Sequence, residues 1–201
     1  KTTDEPTWVS HVPHLLSNPM GPCPWQNMVS KRQGTSHESW GILNWSDSMT
    51  GGERIDLPNR SVAWAPCYIG KYCKIGADVS IGCLAHIGRN VMLGDGVRIQ
   101  GGAYVADGTQ VANGVFIGPN ATILNDRYPP SRNASKWEMV TLEENAVIGG
   151  GVTILPGIHV GSNAVVGAGA LLTKDIPADE VWIGNPAEFH MTRKAYEEAR
   201  S

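Results

Sequence analysis

The sequence predicts an all-β solenoid, a parallel β-helix of stacked triangular coils, on three observations. Aliphatic residues recur at every sixth position, ten times without a slip, at Ile69, Ile75, Ile81, Ile87, Leu93, Ile99, Val105, Val111, Ile117 and Ile123. Small or β-branched residues follow nine of them four positions later, at Cys73, Val79, Ala85, Val91, Val97, Ala103, Thr109, Val115 and Ala121. Glycine directly follows six of them, at Gly70, Gly76, Gly82, Gly88, Gly94 and Gly118.

A strict period of six excludes a helix, because roughly 3.6 residues per turn would spread these side chains around the whole circumference. A triangular coil accommodates the period. Each hexapeptide supplies a short strand with its aliphatic residue inward and a corner that holds the small residue. Three hexapeptides then close a coil of about eighteen residues, and stacked coils bury a continuous aliphatic column.

A second run with the same spacing follows, at Leu142, Ile148, Ile154, Val160, Val166 and Leu172. Ile123 and Leu142 are nineteen positions apart instead of six, so residues 125–141 are predicted to form an excursion loop. Long loops on a rigid scaffold are disproportionately functional. We therefore expect the β-helix to cover residues 61–184 and this loop to border a functional site.

The two ends of the chain lack the repeat. Residues 1–60 carry Trp8, Trp25, Trp40 and Trp45 without a sustained period. We expect this irregular segment to wrap the first coils with its tryptophans as anchors instead of being partly disordered, because so many aromatic residues argue against a solvated tail. Residues 185–201 are predicted to form a C-terminal helix, with Phe189, Thr192 and Tyr196 on one stripe. A helix there would cap the last coil or pack on a neighbouring subunit.

Composition excludes several function classes. The net charge of -3 comes without a basic run, which argues against nucleic acid as a partner. The longest apolar stretch near either end is far shorter than the ~20 residues that span a bilayer, so no membrane partner is expected. The four cysteines show no C-x-x-C spacing, and no metal is expected. A soluble cytoplasmic protein is the default expectation.

The coil length predicts which residues share a face. Residues one coil apart stack, so Tyr68, His86, Tyr104 and Thr122 should form one outward row, and Asn125 with Asp126 should emerge at its edge. An imidazole that titrates near neutral pH, beside a carboxylate, is a plausible acid/base pair. A surface or interface role for His86 remains an equal alternative. His159, by contrast, is expected to be an ordinary surface histidine.

Four segments resemble a known superfamily. Residues 146–157 (AVIGGGVTILPG), 165–177 (VVGAGALLTKDIP) and 184–187 (GNPA) are similar to the acyl-CoA-binding coils of the hexapeptide-repeat acyltransferases, whose β-helix is left-handed. Residues 114–131 (GVFIGPNATILNDRYPPS) resemble the nucleotide-sugar N-acetyltransferases, which acylate an amino group on a deoxyamino sugar for cell-surface polysaccharides. Many members that act on 3-amino sugars carry amides where this chain has residues 82–84 and 101–102.

The resemblance implies an acetyl-CoA-dependent acyltransferase that N-acetylates a nucleotide-linked amino sugar, as a homotrimer with sites between subunits. Together with the row of residues on one face, it predicts three sets of site residues. The catalytic set is His86 as the base, with Asp126 and Asn125. The acceptor-binding set is Tyr104, Arg127 and Tyr128. The donor-binding set is Gly149, Gly150, Gly167, Ala168, Thr173 and Lys174, in which glycines let the pantetheine arm approach the main chain and Lys174 meets a phosphate.

Two other functions stay open at this point. A γ-type carbonic anhydrase shares the coil but binds zinc through three histidines, whereas the repeats contain only His86 and His159. A bound-metal assay that finds stoichiometric zinc would favour it. A non-catalytic β-helix scaffold subunit is the third possibility, against which the Asn-Asp-Arg-Tyr-Pro-Pro loop argues.

Overall fold

The computed structural model describes residues 52–201. The expected wrapping of the first coils by the tryptophan-rich segment falls almost wholly on residues outside this range. The described range begins with a short strand, β1 (Arg54–Asp56), that pairs antiparallel with the first strand of the solenoid.

The chain from residue 62 winds through three parallel sheets, which we call faces A, B and C. Face A contains β2 (Val62–Trp64), β5 (Ser80–Ile81), β8 (Arg98–Ile99), β11 (Phe116–Ile117), β14 (Val147–Ile148), β17 (Val165–Val166) and β19 (Glu180–Ile183). Face B contains β3 (Tyr68–Ile69), β6 (His86–Ile87), β9 (Tyr104–Val105), β12 (Thr122–Ile123), β15 (Thr153–Ile154) and β18 (Leu171–Leu172). Face C contains β4 (Lys74–Ile75), β7 (Met92–Leu93), β10 (Gln110–Val111), β13 (Thr141–Leu142) and β16 (His159–Val160). The prediction of a left-handed parallel β-helix is confirmed.

The register follows the repeat. His86 pairs with Tyr104, one coil of eighteen residues further on, and Tyr104 pairs with Thr122. Thr122 then pairs with Thr153 across the loop, so one coil is longer and the register resumes unchanged. The loop is thus an insertion at one corner, between faces B and C, and it leaves the stacking of the strands intact.

The core is the aliphatic column that the spacing predicts. The second residue of almost every strand is buried, as Ile81, Ile117 and Leu172 illustrate, and the corner residues such as Ala121 and Val152 lie in the same cluster. The glycine that follows many strands is a steric requirement. A Cβ on Gly88 would lie 2.5 Å from the backbone nitrogen of Asp107 in the next coil. A side chain at Gly88 would therefore force the next coil away.

The end of the chain corrects one prediction. Residues 188–192 are a strand, β20 (Glu188–Thr192), antiparallel to β19, and the helix α1 covers only Arg193–Arg200. The side chain of Thr192 caps this helix by accepting from the Ala195 N–H at 3.3 Å. The predicted C-terminal helix is present but begins at residue 193 instead of residue 185, because the free edge of β19 offers residues 188–192 hydrogen-bond partners that outweigh a short helical stripe. The core beneath is closed by Trp182 and Ala187, both buried.

Replacing Ile117 by alanine is expected to destabilise the solenoid by about 2–5 kcal/mol, since it leaves a cavity in the fully buried column. The urea midpoint followed by circular dichroism measures this. Gln110→Ala is the matched control, because Gln110 points outward from a strand of the same length, and its effect should stay within about 0.5 kcal/mol. Equal losses in both variants would contradict the assignment of Ile117 to the core.

Candidate functional site

Face B carries the outward row that the coil length predicts. Tyr68, His86, Tyr104 and Thr122 lie side by side on consecutive strands. The His86 ring stacks on Tyr68 with 4.5 Å between centroids and on Tyr104 with 5.0 Å, and the planes are tilted by only 17° and 18°. His86 is half-buried while both tyrosines are exposed at their edges. A histidine is thus held between two aromatic rings on an open face.

The loop leaves this face where expected, but its polar side chains form hydrogen bonds within the loop and to the previous coil. The Asn125 amide donates to the Asp107 carbonyl at 3.3 Å, which ties the start of the loop to the previous coil. The Asp126 carboxylate accepts from the N–H groups of Tyr128 at 3.1 Å and Ser131 at 2.9 Å. Neither residue forms a hydrogen bond to His86. The roles of Asn125 and Asp126 in catalysis therefore remain predictions, and their observed contacts organise the loop.

Arg127 also anchors the loop. Its Nε donates to both oxygens of Glu138 at 2.9 Å, and its Nη2 donates to the Pro156 carbonyl at 3.1 Å. Tyr128, next in the chain, is 73% exposed. Of the two loop residues predicted to bind the acceptor, only Tyr128 has a free side chain.

A cleft lies between the loop and the corner that joins faces B and C. It has a volume of about 320 Å³ and is lined by Arg89, Asn90, Asp107, Gly108, Ala134, Trp137 and Met139. Arg89 donates to Asp107 through Nε at 2.9 Å and Nη2 at 2.7 Å, so the floor of the cleft holds a neutralised ion pair. These residues were not predicted. The sequence spacing could have indicated that the two side chains meet. Arg89 follows His86 by three positions, and Asp107 follows Tyr104 by three positions in the next coil.

The Trp137 indole adds an unusual feature to this cleft. Its Nε1 is buried and has no hydrogen-bond partner in the described structure. An unpaired buried donor costs roughly 1–3 kcal/mol. The wall that the loop contributes is therefore less favourable than the rest of the fold, which is typical of a segment that contacts a ligand.

A second groove opens where the last coils meet the C-terminal hairpin, which is formed by β19 and β20. Its volume is about 420 Å³, and it is lined by Val147, Gly149, Val165, Val166, Gly167, Ala168, Val181, Ile183, His190, Met191 and Tyr196. Three of the predicted donor-binding residues, Gly149, Gly167 and Ala168, thus share one groove. Its outer wall, which includes His190 and Tyr196, was missed because residues 188–192 were expected to be helical.

The other predicted donor-binding residues lie outside this lining. Lys174 is exposed and its Nζ sits 4.8 Å from the centre of the Trp182 ring, a cation–π contact that fixes the charge near the hairpin. Thr173 is exposed next to it, and Gly150 lies beside Gly149 at the corner. The donor-binding roles of these three residues remain predictions.

His159, expected to be an ordinary surface histidine, is half-exposed and contacts a carboxylate. Its Nε2 lies 2.9 Å from Oε1 of Glu143, while Oε2 of Glu143 accepts from the Ser162 hydroxyl at 2.8 Å and its N–H at 2.9 Å. The bonds from Ser162 and the nearby imidazole hold the pKa of Glu143 below its ordinary value. Glutamate, not histidine, is the centre of this cluster. In a catalytic triad the histidine lies between the nucleophile and the carboxylate, whereas here the carboxylate lies between Ser162 and His159. The cluster is therefore a link between coils.

Within residues 52–201 no three His, Cys, Asp or Glu side chains lie close enough together to hold a metal ion. His86 is on face B and His159 is on face C, so the two cannot share a zinc ion within one chain. Burial raises the pKa of the Cys67 and Cys73 thiols, which favours their protonated, unreactive form.

Within residues 52–201 the longest helix has eight residues and cannot cross a bilayer.

The family model for the bacterial transferase hexapeptide matches residues 72–107, 85–125 and 139–174. The matched segments together cover just under half of the chain and identify its repeats as bacterial transferase hexapeptides. A galactoside O-acetyltransferase of Lactococcus lactis is 46% identical over 77 residues, which cover 36% of this chain and 37% of that protein. A 2,3,4,5-tetrahydropyridine-2,6-dicarboxylate N-acetyltransferase of Staphylococcus aureus is 38% identical over 74 residues, or 37% of this chain and 29% of that one. The matches thus span less than two fifths of these relatives.

Solved structures share the fold. AntD, an N-acyltransferase from Bacillus cereus in complex with dTDP and 3-hydroxybutyryl-CoA, superposes with a TM-score of 0.59 at 16% identity, over 70% of this chain and 85% of that chain. The acetyltransferase domain of PglB from Neisseria gonorrhoeae gives 0.58 at 23% identity, over 66% and 58%. A variant GDP-perosamine N-acetyltransferase from Caulobacter crescentus, with CoA and GDP-perosamine, gives 0.57 at 22% identity, over 65% and 56%.

Replacing Asp126 by alanine is expected to loosen the loop and leave the solenoid folded, because the Tyr128 and Ser131 N–H groups lose their acceptor. Amide hydrogen exchange should become several-fold faster in peptides from residues 126–136 and stay unchanged in the coils. Partial burial tends to raise the pKa of Asp126, but the bonds from Ser131 and Tyr128 outweigh it and hold the pKa below its usual value.

The direction of the pH effect follows from that lowered pKa. The carboxylate stabilises the loop fully above the ordinary value of about 3.9 and loses this contribution as the pH falls through the lowered native value. Exchange in the wild-type loop should therefore accelerate in acid beyond the intrinsic rate, and the Asp126→Ala variant should lack this step. Identical acid profiles for the two proteins would contradict the role of Asp126 in the loop.

Proposed function

We propose that this protein is an acyl-CoA-dependent acyltransferase that acetylates the amino group of a nucleotide-linked amino sugar. The observation that carries the proposal is the groove of Gly149, Gly167 and Ala168 in repeats that match the transferase family. Glycine there leaves main-chain groups accessible to an extended thioester arm. AntD is named as an N-acyltransferase and the perosamine enzyme as an N-acetyltransferase, and PglB carries an acetyltransferase domain; these names support the same class.

The acceptor would lie on face B, between the His86 row and the loop cleft. The cleft has a volume near the lower end of the range for small-molecule sites, roughly 300–1,000 Å³. Met139 and Trp137 supply its apolar wall, and the Arg89–Asp107 pair supplies its polar floor. An amino sugar has both kinds of surface, and the exposed Tyr128 side chain would border it.

The donor and acceptor sites lie at different heights on the solenoid. Gly149 belongs to a coil three strands along face B from His86, or about 14 Å at roughly 4.8 Å per strand. A donor that reaches His86 must therefore be extended along the solenoid axis or approach from a neighbouring subunit. We propose a homotrimer with sites between subunits, and a sedimentation mass near that of a single chain would contradict it.

The reaction needs few groups. The neutral amine attacks the thioester carbonyl, a C–N bond forms, and the tetrahedral intermediate expels the CoA thiolate. The amine must lose one proton, which His86 would accept and pass to the departing sulfur. Backbone N–H groups would stabilise the oxyanion. The products are an amide and free CoA thiol.

Purified protein tested with acetyl-CoA and a panel of nucleotide-linked amino sugars should release CoA thiol with at least one acceptor. The mass of the acceptor should rise by one acetyl group. Absence of thiol release with every amino sugar would overturn the proposal. The matching panel of sugars without an amino group serves as the control.

A hydroxyl acceptor is a second candidate, favoured by one observation. The galactoside O-acetyltransferase relative is 46% identical over its matched 77 residues. The chemistry differs only in the attacking atom, which is an alcohol oxygen that needs a base even more than an amine does. Product formation with galactosides and none with amino sugars would establish O-acetylation instead.

A further inference from the structure

The stacked row on face B supports a refinement that rests on the proposed function. We propose that Tyr68 and Tyr104 are positioning residues that hold the imidazole of His86 in one orientation. Tyr104 then acts through His86 instead of through a contact with the acceptor sugar. The observation is the continuous stack of three rings with centroids 4.5 Å and 5.0 Å apart.

The stack is a consequence of the coil. The three residues occupy the same outward slot on adjacent strands, in register. Neighbouring strands lie about 4.8 Å apart, a spacing that falls within the roughly 4.5–7 Å preferred by aromatic pairs. In the described outward rows of faces A and C, no two neighbouring positions hold aromatic residues. On face C, for example, the row begins with Lys74, Met92 and Gln110. Face B is therefore specialised at His86.

The stack restricts what His86 can do. The χ2 torsion of histidine is intrinsically broad, but a ring between two others can turn only by breaking both contacts. Both ring faces are covered, so a ligand meets only the edge, where the nitrogens lie. The electron-rich tyrosine faces also suit the imidazolium that forms when the ring accepts a proton. Orientation and charge both favour proton transfer at a fixed point on face B.

The experiment separates positioning from direct binding. Tyr68→Leu and Tyr104→Leu remove the rings, Tyr68→Phe and Tyr104→Phe keep them, and Tyr72→Asn is the control. Tyr72 is 80% exposed outside the stack, and asparagine tolerates its positive φ of 63°. We expect kcat to fall about fivefold to tenfold in each leucine variant, with KM for the acceptor unchanged. The phenylalanine and Tyr72 variants should keep wild-type kcat.

A double-mutant cycle with His86 gives the decisive result. In a His86→Ala background the leucine substitutions should have no further effect, because the residue that they position is absent. Equal losses of kcat in both backgrounds, or a rise in acceptor KM, would show that the tyrosines contact the acceptor and would overturn the proposal.

A readout without activity distinguishes failure of this proposal from failure of the proposed function. The ring protons of His86, assigned by comparison with a His86→Asn variant, should show upfield NMR shifts from the two tyrosines. Each leucine variant should move these signals downfield. Unchanged signals would overturn the stack even in an active enzyme. Shifted signals without thiol release from any acceptor would keep the stack and overturn the function.

Discussion

Replacing His86 by alanine is expected to lower CoA thiol release at least tenfold and to leave the fold intact. Removing a general base typically lowers the rate roughly 10²–10⁴-fold. The loss is smaller when part of the amine is already neutral without the base. The side chain points outward, while the buried residue of the same strand is Ile87. Circular dichroism and the melting temperature should therefore stay near those of the wild type.

His159→Ala is the matched control for this prediction. His159 occupies the same slot of the repeat, directly before a buried aliphatic residue, but it lies on face C and binds Glu143. Its loss should leave turnover unchanged. If His86→Ala keeps wild-type turnover, or if both variants lose it equally, the assignment of His86 as the base is wrong.

The repeat made the fold and the neighbours on face B predictable. A period of six residues has one geometric solution in three short strands, so the inward column and the outward row of Tyr68, His86 and Tyr104 both follow from the spacing alone. The same argument located the loop, because nineteen residues stand where six belong. Strict periodicity converts sequence distance into spatial distance, which ordinary domains do not allow.

The site away from the repeat was less predictable, for physical reasons. The acceptor-binding role of Arg127 stays a prediction, and its pairing with Glu138, eleven residues later in the loop, was not predicted. The pairing of His159 with Glu143 was also not predicted, because Glu143 lies one coil earlier, at a corner instead of in a strand. Side-chain pairs across corners depend on rotamers, which the repeat does not encode. The backbone follows from the sequence, whereas these pairings do not.

The C-terminal hairpin shows a second limit. The stripe of Phe189, Thr192 and Tyr196 fits a helix, yet residues 188–192 form a strand. Local pattern competes there with the open edge of β19, and the hydrogen bonds that this edge offers decide the outcome. The correction has a functional consequence, since the strand and α1 place His190 and Tyr196 along the groove of Gly149 and Gly167.

Replacing Gly167 by valine is expected to raise the KM for acetyl-CoA about tenfold or more with little change in kcat. Most glycines of the corners face backbone of the next coil, but a Cβ at Gly167 would meet the side chain of Ile183, with Cγ2 at 2.7 Å. The added methyls would therefore enter the groove. Overfilling a packed site costs roughly 1–3 kcal/mol, which corresponds to about 5- to 150-fold in affinity. Initial rates over a range of acetyl-CoA concentrations measure the effect.

Ala112→Val controls for added bulk at the equivalent slot of another corner, directly after the buried Val111 on face C. This variant should keep the wild-type KM, and both variants should melt within a few degrees of the wild type. A tenfold rise in the KM for the acceptor, with that for acetyl-CoA unchanged, would mean that the groove binds the sugar and that the two sites have been exchanged. An unchanged KM for both substrates would place the thioester arm elsewhere on the solenoid. A rise for acetyl-CoA alone would tie Gly167, and the groove that it lines, to the donor.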